Sequence, residues 1–588
     1  MNMHMDNTTF WHKNQVVVVS TNVDPDLLWS NIHEAFKSDL VAHEVLPNLD
    51  LNRFETIQHS TNHHHFAEIT TPMRGNAENV DLSSSDHTLD VIKKMEGMKG
   101  RIGYDYNVIP HWLHASVDNT HGCPVSPPYP VEGFEGKGRY KITLPQLPIN
   151  LQSATGKGVT VFVLDTLPKR DQIDVAADKA DDHNTLLKEM AAGMKDTEPY
   201  DASPPAINLN YSFDGIIPDP ADSAKTGKDI YGRLVGFPMN DHGLAIAGIV
   251  RDIAPDANIE CIRVLNEYGV GDLRTLLKAL AYIHKRGEAL GLPVVINLSL
   301  VLFPDKQHIH DGSMPSIEGI IATSQGVLYS VLNQAGSEAI FVASAGNDSD
   351  PRDTEMNPSE VRFSARYPAA FADDRRHSIT TMIPVGAVNK DRKAAFYSNY
   401  PGQSGIATYG GDLLRPHPWL PAATSYAITQ VDNTAPIDAI CGIYTAAEYP
   451  ALSMNDNYSL QMHSTQMEST PQERPMGYPM YHAPNFHAWA YWSGTSYATP
   501  IISALAARVV ECDLKSGKKS DIRKVISDAA QERQEMWTRV VEDNEKSEPK
   551  DLDGKVILAV QDWWPEKTLF SRYTPTADLT AKAACREA

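Results

Sequence analysis

The chain has 588 residues, 42% of them hydrophobic, enough for a packed core in two or more domains. A formal net charge of −22 argues against nonspecific binding to nucleic acid or to an anionic membrane. It would attract basic peptides at low salt, although solubility alone accounts for it.

The five cysteines, Cys123, Cys261, Cys441, Cys512 and Cys585, are odd in number, widely spaced and without a Cys-x-x-Cys. That pattern argues against a disulfide framework and a cysteine zinc site, and no metal ligands are assigned. The start, Met1 to His12, lacks a basic segment followed by an apolar run. No stretch is long enough to span a bilayer. The expectation is a cytoplasmic protein without a membrane partner.

The first domain is expected over residues 1–110, as a small α+β unit. Val16 to Ser20 reads as a strand, and Asp24 to Phe36 as an amphipathic helix with an Asp cap ahead of Pro25. Phe66 to Thr70 reads as a second strand, Leu89 to Met98 as a second helix, and Tyr104 to Pro110 as extended, a βαβαβ-like order. Asn62-His63-His64-His65 between these elements is expected to be a solvated loop rather than a metal site. Residues 111–150, with Pro124-Val-Ser-Pro-Pro-Tyr-Pro130, have the composition of an extended linker.

Next, Gly158-Val-Thr-Val-Phe-Val-Leu164 is a short β-branched apolar run, the pattern of a fully buried strand. It delivers Asp165 at its C-terminal end, where open α/β sheets place their sites. Asn240-Asp241-His242-Gly243 opens a helix of small residues. Asp272 to Leu290 reads as a helix with Leu273, Leu276, Leu277, Leu280 and Ile283 on one face and Gly291 as its stop. Another helix is expected near Ser316 to Ala335. Ala339 to Ser344 is a further buried strand, running into Ala345-Gly346-Asn347. Apolar runs at 259–265, 294–300 and 383–388 complete the strands. Their alternation with helices points to a mostly parallel sheet covered on both faces.

Gly494-Thr495-Ser496-Tyr497-Ala498-Thr499-Pro500 places a serine between a tight turn and a helix start, with Pro500 in the first turn. Free N–H groups at that end stabilise developing negative charge. A nucleophilic serine needs a base, and the base needs an orienting carboxylate. His242 and Asp165 supply them. Asn347 and the Ser496 N–H would hold an oxyanion.

At this point the chain resembles the subtilases, the subtilisin-like serine peptidases. Besides the Asp165, His242 and Ser496 segments, the likeness includes Ile253-Ala-Pro-Asp-Ala-Asn-Ile259, Val295-Ile-Asn-Leu-Ser-Leu300, Ser344-Ala-Gly-Asn-Asp348, Tyr367-Pro-Ala-Ala-Phe371 and Phe396-Tyr-Ser-Asn-Tyr400. The resemblance implies a subtilisin-like α/β peptidase domain over residues 151–535. It implies hydrolysis of a peptide or protein substrate through an acyl-enzyme, with no cofactor required for the chemistry; structural calcium stays open. Ser299-Leu300 and Ser344-Ala345-Gly346 would flank the bound peptide, pairing with it as an added strand. A rate rising as His242 loses its proton is expected, near the pKa of a free imidazole.

Several positions depart from the family pattern. Leu167 follows Asp165-Thr166 where the family usually has Gly, Leu244-Ala245-Ile246 replaces Thr-His-Val, and Val301 replaces Gly. They keep an alternative open: a catalytically impaired scaffold that binds peptides or partner proteins. Position and pattern make the first domain similar to the family's inhibitory propeptide; a retained adaptor is the other reading. Long inserts are expected near 170–235 and 409–487, and a C-terminal extension over 536–588. A regulatory partner at the first domain or the long insert is left open.

Overall fold

The computed structural model describes residues 11–40, 49–59, 61–70, 86–116, 128–131, 136–195, 206–218, 239–291, 293–302, 315–334, 339–350, 359–412, 438–449, 484–541 and 548–565. Most of the 409–487 insert, Cys123 and Cys585 lie outside them. The chain divides into two compact units. The first comprises residues 1–114, 271–289 and 302–336, and the second 115–270, 290–301 and 337–588. The first unit therefore takes in two segments that the sequence reading placed in the peptidase domain.

In the first unit the order is β1 (Trp11–Thr21), α1 (Pro25–Leu40), β2 (Asp50–His59), β3 (Asn62–Thr70), α2 (Thr88–Ile102) and β4 (Tyr106–Ser116). All the pairs in the order β4-β1-β3-β2 are antiparallel. This is a split βαβ arrangement, βαββαβ rather than βαβαβ. β2 escaped the sequence reading because Asp50, Asn52, Arg53 and Glu55 break its apolar pattern.

Asp24 Oδ1 accepts from the amides of Asp26 (3.0 Å) and Leu27 (2.8 Å), which caps α1 ahead of Pro25. Gly103, at φ +74°, ends α2 in the left-handed conformation. Val16, Val18, Leu28, Ile32, Ala67, Ile69, Val91, Met95 and Val108 form the core between sheet and helices. The expectation of a solvated loop at residues 62–65 is overturned. Asn62 to His65 opens β3, pairing with β1 and β2, and His64 and His65 are fully buried. Two helices, Leu273–Leu290 and Pro315–Gln334, complete the unit. Asp272 Oδ1 caps the first through Thr275 N (2.8 Å), and the predicted Leu/Ile face is buried.

The second unit is built on an eleven-stranded sheet. At its centre Ile406–Tyr409, Met382–Val388, Ala339–Ser344, Val294–Leu298, Thr160–Asp165, Asn258–Arg263 and Ile207–Asn210 are neighbours in that order, each pair parallel. Every residue of Thr160–Asp165 and Ala339–Ser344 is buried. Strands covered on both faces read as continuous apolar runs for that reason. Helices His242–Ile253 and Thr495–Ser516 contribute Leu244, Ile246, Ile501 and Leu505 to a core that also includes Val161 and Val163.

Two boundaries move. Residues 138–150, read as linker from composition, carry the strand Gly138–Thr143, paired with Val560–Pro565, and bury Ile142, Leu144 and Leu147. Burial of these apolar side chains stabilises 138–150 as part of the fold. The boundary at 535/536 cuts through the strand Gln531–Val541, which with Lys550–Ile557 extends the sheet beyond Ile406–Tyr409. Among the described residues no helix is long and apolar enough to cross a membrane.

Candidate active site

Asp165 ends its buried strand with its own side chain only 1% exposed. Its Oδ1 accepts from Thr166 N at 2.7 Å and lies 2.7 Å from His242 Nδ1. A carboxylate only accepts, so Nδ1 carries the hydrogen and Nε2 is left as the basic nitrogen. The approach is enforced from both sides. Thr166 Oγ1 donates to the carbonyls of Met239 (2.8 Å) and Asn240 (3.0 Å), holding the turn before His242 against the strand end. A Cβ on Gly243 would stand 2.2 Å from Thr166 O and 2.7 Å from Asp165 Cβ. Only glycine lets the helix start come this close to the carboxylate.

His242 opens the helix His242–Ile253 and is fully buried. Its ring meets the Tyr497 ring edge-on, with centroids 5.4 Å apart, which sets it beside the residue after Ser496. The preceding Asp241 is turned away into bonds from Thr445 N (3.0 Å) and Thr445 Oγ1. Burial pushes the Asp241 carboxyl up to about 6, against those hydrogen bonds.

Ser496 is the second residue of the helix Thr495–Ser516, so Pro500 is the sixth and lies beyond the first turn. That corrects the expected position and has a consequence. Pro500 has no N–H for the carbonyl four residues back, which is that of Ser496. Ser299 Oγ donates to that carbonyl instead, at 3.0 Å. Asn297 Nδ2 donates to Ser299 Oγ (3.0 Å), and Ser503 Oγ donates to Asn297 Oδ1 (2.9 Å). A buried polar chain thus ties the main chain of Ser496 to the strand segment 297–299. The Ser496 hydroxyl is buried and has no hydrogen-bond partner among the described residues.

Asn347 follows the strand Ala339–Ser344. Its Oδ1 accepts from Thr495 N (3.0 Å) and Thr495 Oγ1 (2.8 Å). The carbonyl end of the amide is therefore fixed toward the helix start, and Nδ2 faces away from it. The turn is braced from below. Arg366 Nη1 meets Asp348 Oδ1 at 2.9 Å with both side chains fully buried, and Asn399 Nδ2 donates to Asp348 Oδ2 at 2.6 Å. Gly346, at φ +109°, leaves no room for a side chain: a Cβ would meet Asn399 Nδ2 at 2.6 Å.

Ser299, Leu300, Ser344, Ala345 and Gly346 are all buried. The Ala345 N–H donates to Val385 O (2.9 Å), and its carbonyl accepts from Arg366 N (2.8 Å). The Gly346 carbonyl accepts from Asn399 N (3.0 Å). With those groups used inside the fold, Ala345 and the Gly346 carbonyl do not serve an added strand. Leu167 is a core residue, 2% exposed, so the departure there fills apolar space.

The sequence reading brought Asp165, His242, Asn347 and Ser496 forward. It missed Asn297, Ser503, Thr495 and the Arg366–Asp348–Asn399 bracing. A polar Asn297 inside an apolar strand was the available signal, since a buried amide needs a partner.

The model of the subtilase family matches residues 156–554. The minor extracellular protease Epr of Bacillus subtilis (strain 168) is 27% identical over 169 residues, which is 27% of this chain and 20% of that protein. An intracellular serine protease of Paenibacillus polymyxa is 23% identical over 272 residues, 46% of this chain and 61% of that protein. The chain thus spans a fifth and about three fifths of these two relatives. Among solved structures, a lanthipeptide protease is similar with a TM-score of 0.33 and 20% identity, covering 64% of this chain and 80% of that one. With its family model matched over well more than half its length, this chain belongs to the subtilase family.

Proposed function

We propose that the chain is a serine endopeptidase. The observation that carries this reading is the buried 2.7 Å contact between Asp165 Oδ1 and His242 Nδ1, with the His242 ring against Tyr497. His242 Nε2 takes the proton of Ser496 Oγ as that oxygen attacks the peptide carbonyl. Asn347 Nδ2 and the Ser496 N–H receive the oxyanion. His242 then gives its proton to the leaving amine, and water releases the acyl group by the reverse path. Asp165 holds the imidazole in the required tautomer and stabilises its charged form. The hydrogen bond from Ser496 Oγ to Nε2 forms when substrate binds. The chemistry needs no cofactor.

The substrate is a peptide or protein segment, flanked by Ser299-Leu300 and Ser344-Ala345-Gly346. The N-terminal α+β domain acts as a propeptide or a retained adaptor. A fluorophosphonate probe should label the wild type at Ser496, with labelling and peptide hydrolysis both abolished in Ser496→Ala. A wild type that takes up no probe and cleaves no peptide would leave the binding scaffold as the reading.

A further inference from the structure

The first unit holds a second meeting of imidazoles and a carboxylate that proteolysis does not use. His12 Nε2 lies 3.0 Å from Asp272 Oδ2, and His111 Nε2 lies 3.4 Å from the same oxygen. The three ligand atoms all lie within 4.8 Å of one another. The two ring centroids lie 4.4 Å apart, with the planes tilted by 36°. His111 and Asp272 are buried, with side chains 3% and 4% exposed, and His12 is 28% exposed.

The protonation pattern is the telling part. His111 Nδ1 is 2.7 Å from Gln15 Oε1, an acceptor, so Nδ1 carries the hydrogen. In the neutral ring Nε2 is then a lone pair, and it points toward a carboxylate oxygen. An Nε2 that faces a carboxylate oxygen, buried and lacking a hydrogen-bond partner among the described residues, is an arrangement that a cation between them resolves. An Nδ1–H held by a side-chain oxygen is also how metal-ligating histidines are oriented.

The backbone is shaped for it. In the β1–β4 ladder Trp11 is opposite Trp112 and Val16 is opposite Pro110, so four residues of β1 face His111 alone. Regular alternation would send His12 and Gln15 to opposite faces. Within this bulge Asn14 takes φ +58°, and both side chains come to His111. Asp272 keeps its other oxygen for the helix cap on Thr275, leaving Oδ2 for the two rings. His114, fully buried, also stands within reach of the Asp272 charge.

We infer that His12 Nε2, His111 Nε2 and Asp272 Oδ2 form a binding site for a divalent cation of zinc type, oriented by Gln15. Tetrahedral zinc with bonds of ~2.05 Å separates its ligand atoms by roughly 3.3 Å, close to the 3.0 and 3.4 Å seen here. Imidazole with one carboxylate suits Zn²⁺ or Co²⁺ better than Ca²⁺ or Mg²⁺. The site would join β1 and β4 to the start of the Leu273–Leu290 helix within this unit. The inference does not rest on the peptidase reading.

The test uses the full chain freed of metal by chelation, its intact mass checked. Titration with Co²⁺ should give the visible d–d absorption of a four-coordinate site at one equivalent, abolished by one equivalent of Zn²⁺. Zn²⁺ affinity should fall by roughly 100-fold or more in His12→Gln and Asp272→Asn, and by about ten-fold in Gln15→Ala. His12 is partly exposed and an Asn at 272 keeps the cap oxygen, so both variants should retain the wild-type circular dichroism. Zn²⁺ binding of the same stoichiometry and affinity in wild type, His12→Gln and Asp272→Asn would overturn the site. So would a wild type that gives no four-coordinate Co²⁺ spectrum.

Discussion

Among the described residues histidine pairs with buried aspartate twice, at Asp165 and at Asp272, and the two pairings have opposite logic. At Asp165 the carboxylate receives a single ring through Nδ1, which keeps Nε2 basic. At Asp272 one carboxylate oxygen faces the Nε2 atoms of two rings, and the Nδ1 of His111 is already committed to Gln15. The residue types are the same, and the tautomer set by the neighbours differs: one arrangement leaves Nε2 for the proposed base, the other turns two Nε2 atoms toward the proposed cation. The local backbone does the forcing. Gly243 lets a helix start close on Asp165, and an irregular stretch of β1 turns His12 and Gln15 onto one ring.

The sharpest way to separate the two is a change that touches only the first. With Asn347 holding the oxyanion as proposed, Asn347→Ala should lower kcat by roughly 10²–10³-fold with KM little changed. Zn²⁺ binding at the His12 cluster should be unaltered. Steady-state kinetics on a peptide substrate reads the effect, and a loss confined to KM would show that Asn347 only shapes the binding wall. The variant also releases two bonds to Thr495, so its melting temperature should be read alongside.

The contrast also explains what could be read in the chain. Asp165, His242 and Ser496 announce themselves because each sits at an element boundary inside a local motif: a buried run ending in Asp, His before Gly, Ser before a helix of small residues. The parallel strands were legible because both their faces are buried. The His12 cluster was not legible. Its members are separated by 99 and 161 positions, none stands in a motif, and the stretch that aligns them is a break in strand alternation. His64 and His65 misled for a related reason. A run of three histidines reads as polar, yet neutral imidazoles pack in a core, and burial lowers the pKa of His65 to about 4.

A second probe addresses how Ser496 is held. Ser299→Ala leaves the Ser496 carbonyl without its donor, because Pro500 cannot supply one. It should cost about 1–3 kcal/mol of stability and lower kcat by up to ~10-fold as the nucleophile loses its anchor. Pro500→Ala restores an N–H four residues on and should rescue a good part of both losses in the double variant. Coupling of about 1 kcal/mol in the cycle is expected. Strict additivity would mean that the Ser299 hydroxyl is not substituting for the missing helix bond.

The smallest effect comes from the carboxylate beside the base. Asp241 is completely buried, and its folded-state pKa of about 6 stands above the ordinary 3.8. Above pH 6 it is ionised in both folded and unfolded chains, so the folded state carries the cost of a buried charge. As pH falls through 6 the folded carboxyl takes a proton first and that cost disappears, completely so below 3.8. Asn at this position keeps an oxygen for the Thr445 donors and carries no charge. Asp241→Asn should therefore be more stable than wild type by about 1–3 kcal/mol at pH 8, with the difference gone by pH ~4. Denaturant midpoints of the two proteins across that range measure it. Removing a negative charge next to His242 should also move the acidic limb of the rate profile downward by a few tenths of a unit, roughly. Parallel stability curves would show that Asp241 is not a charged group buried at a cost.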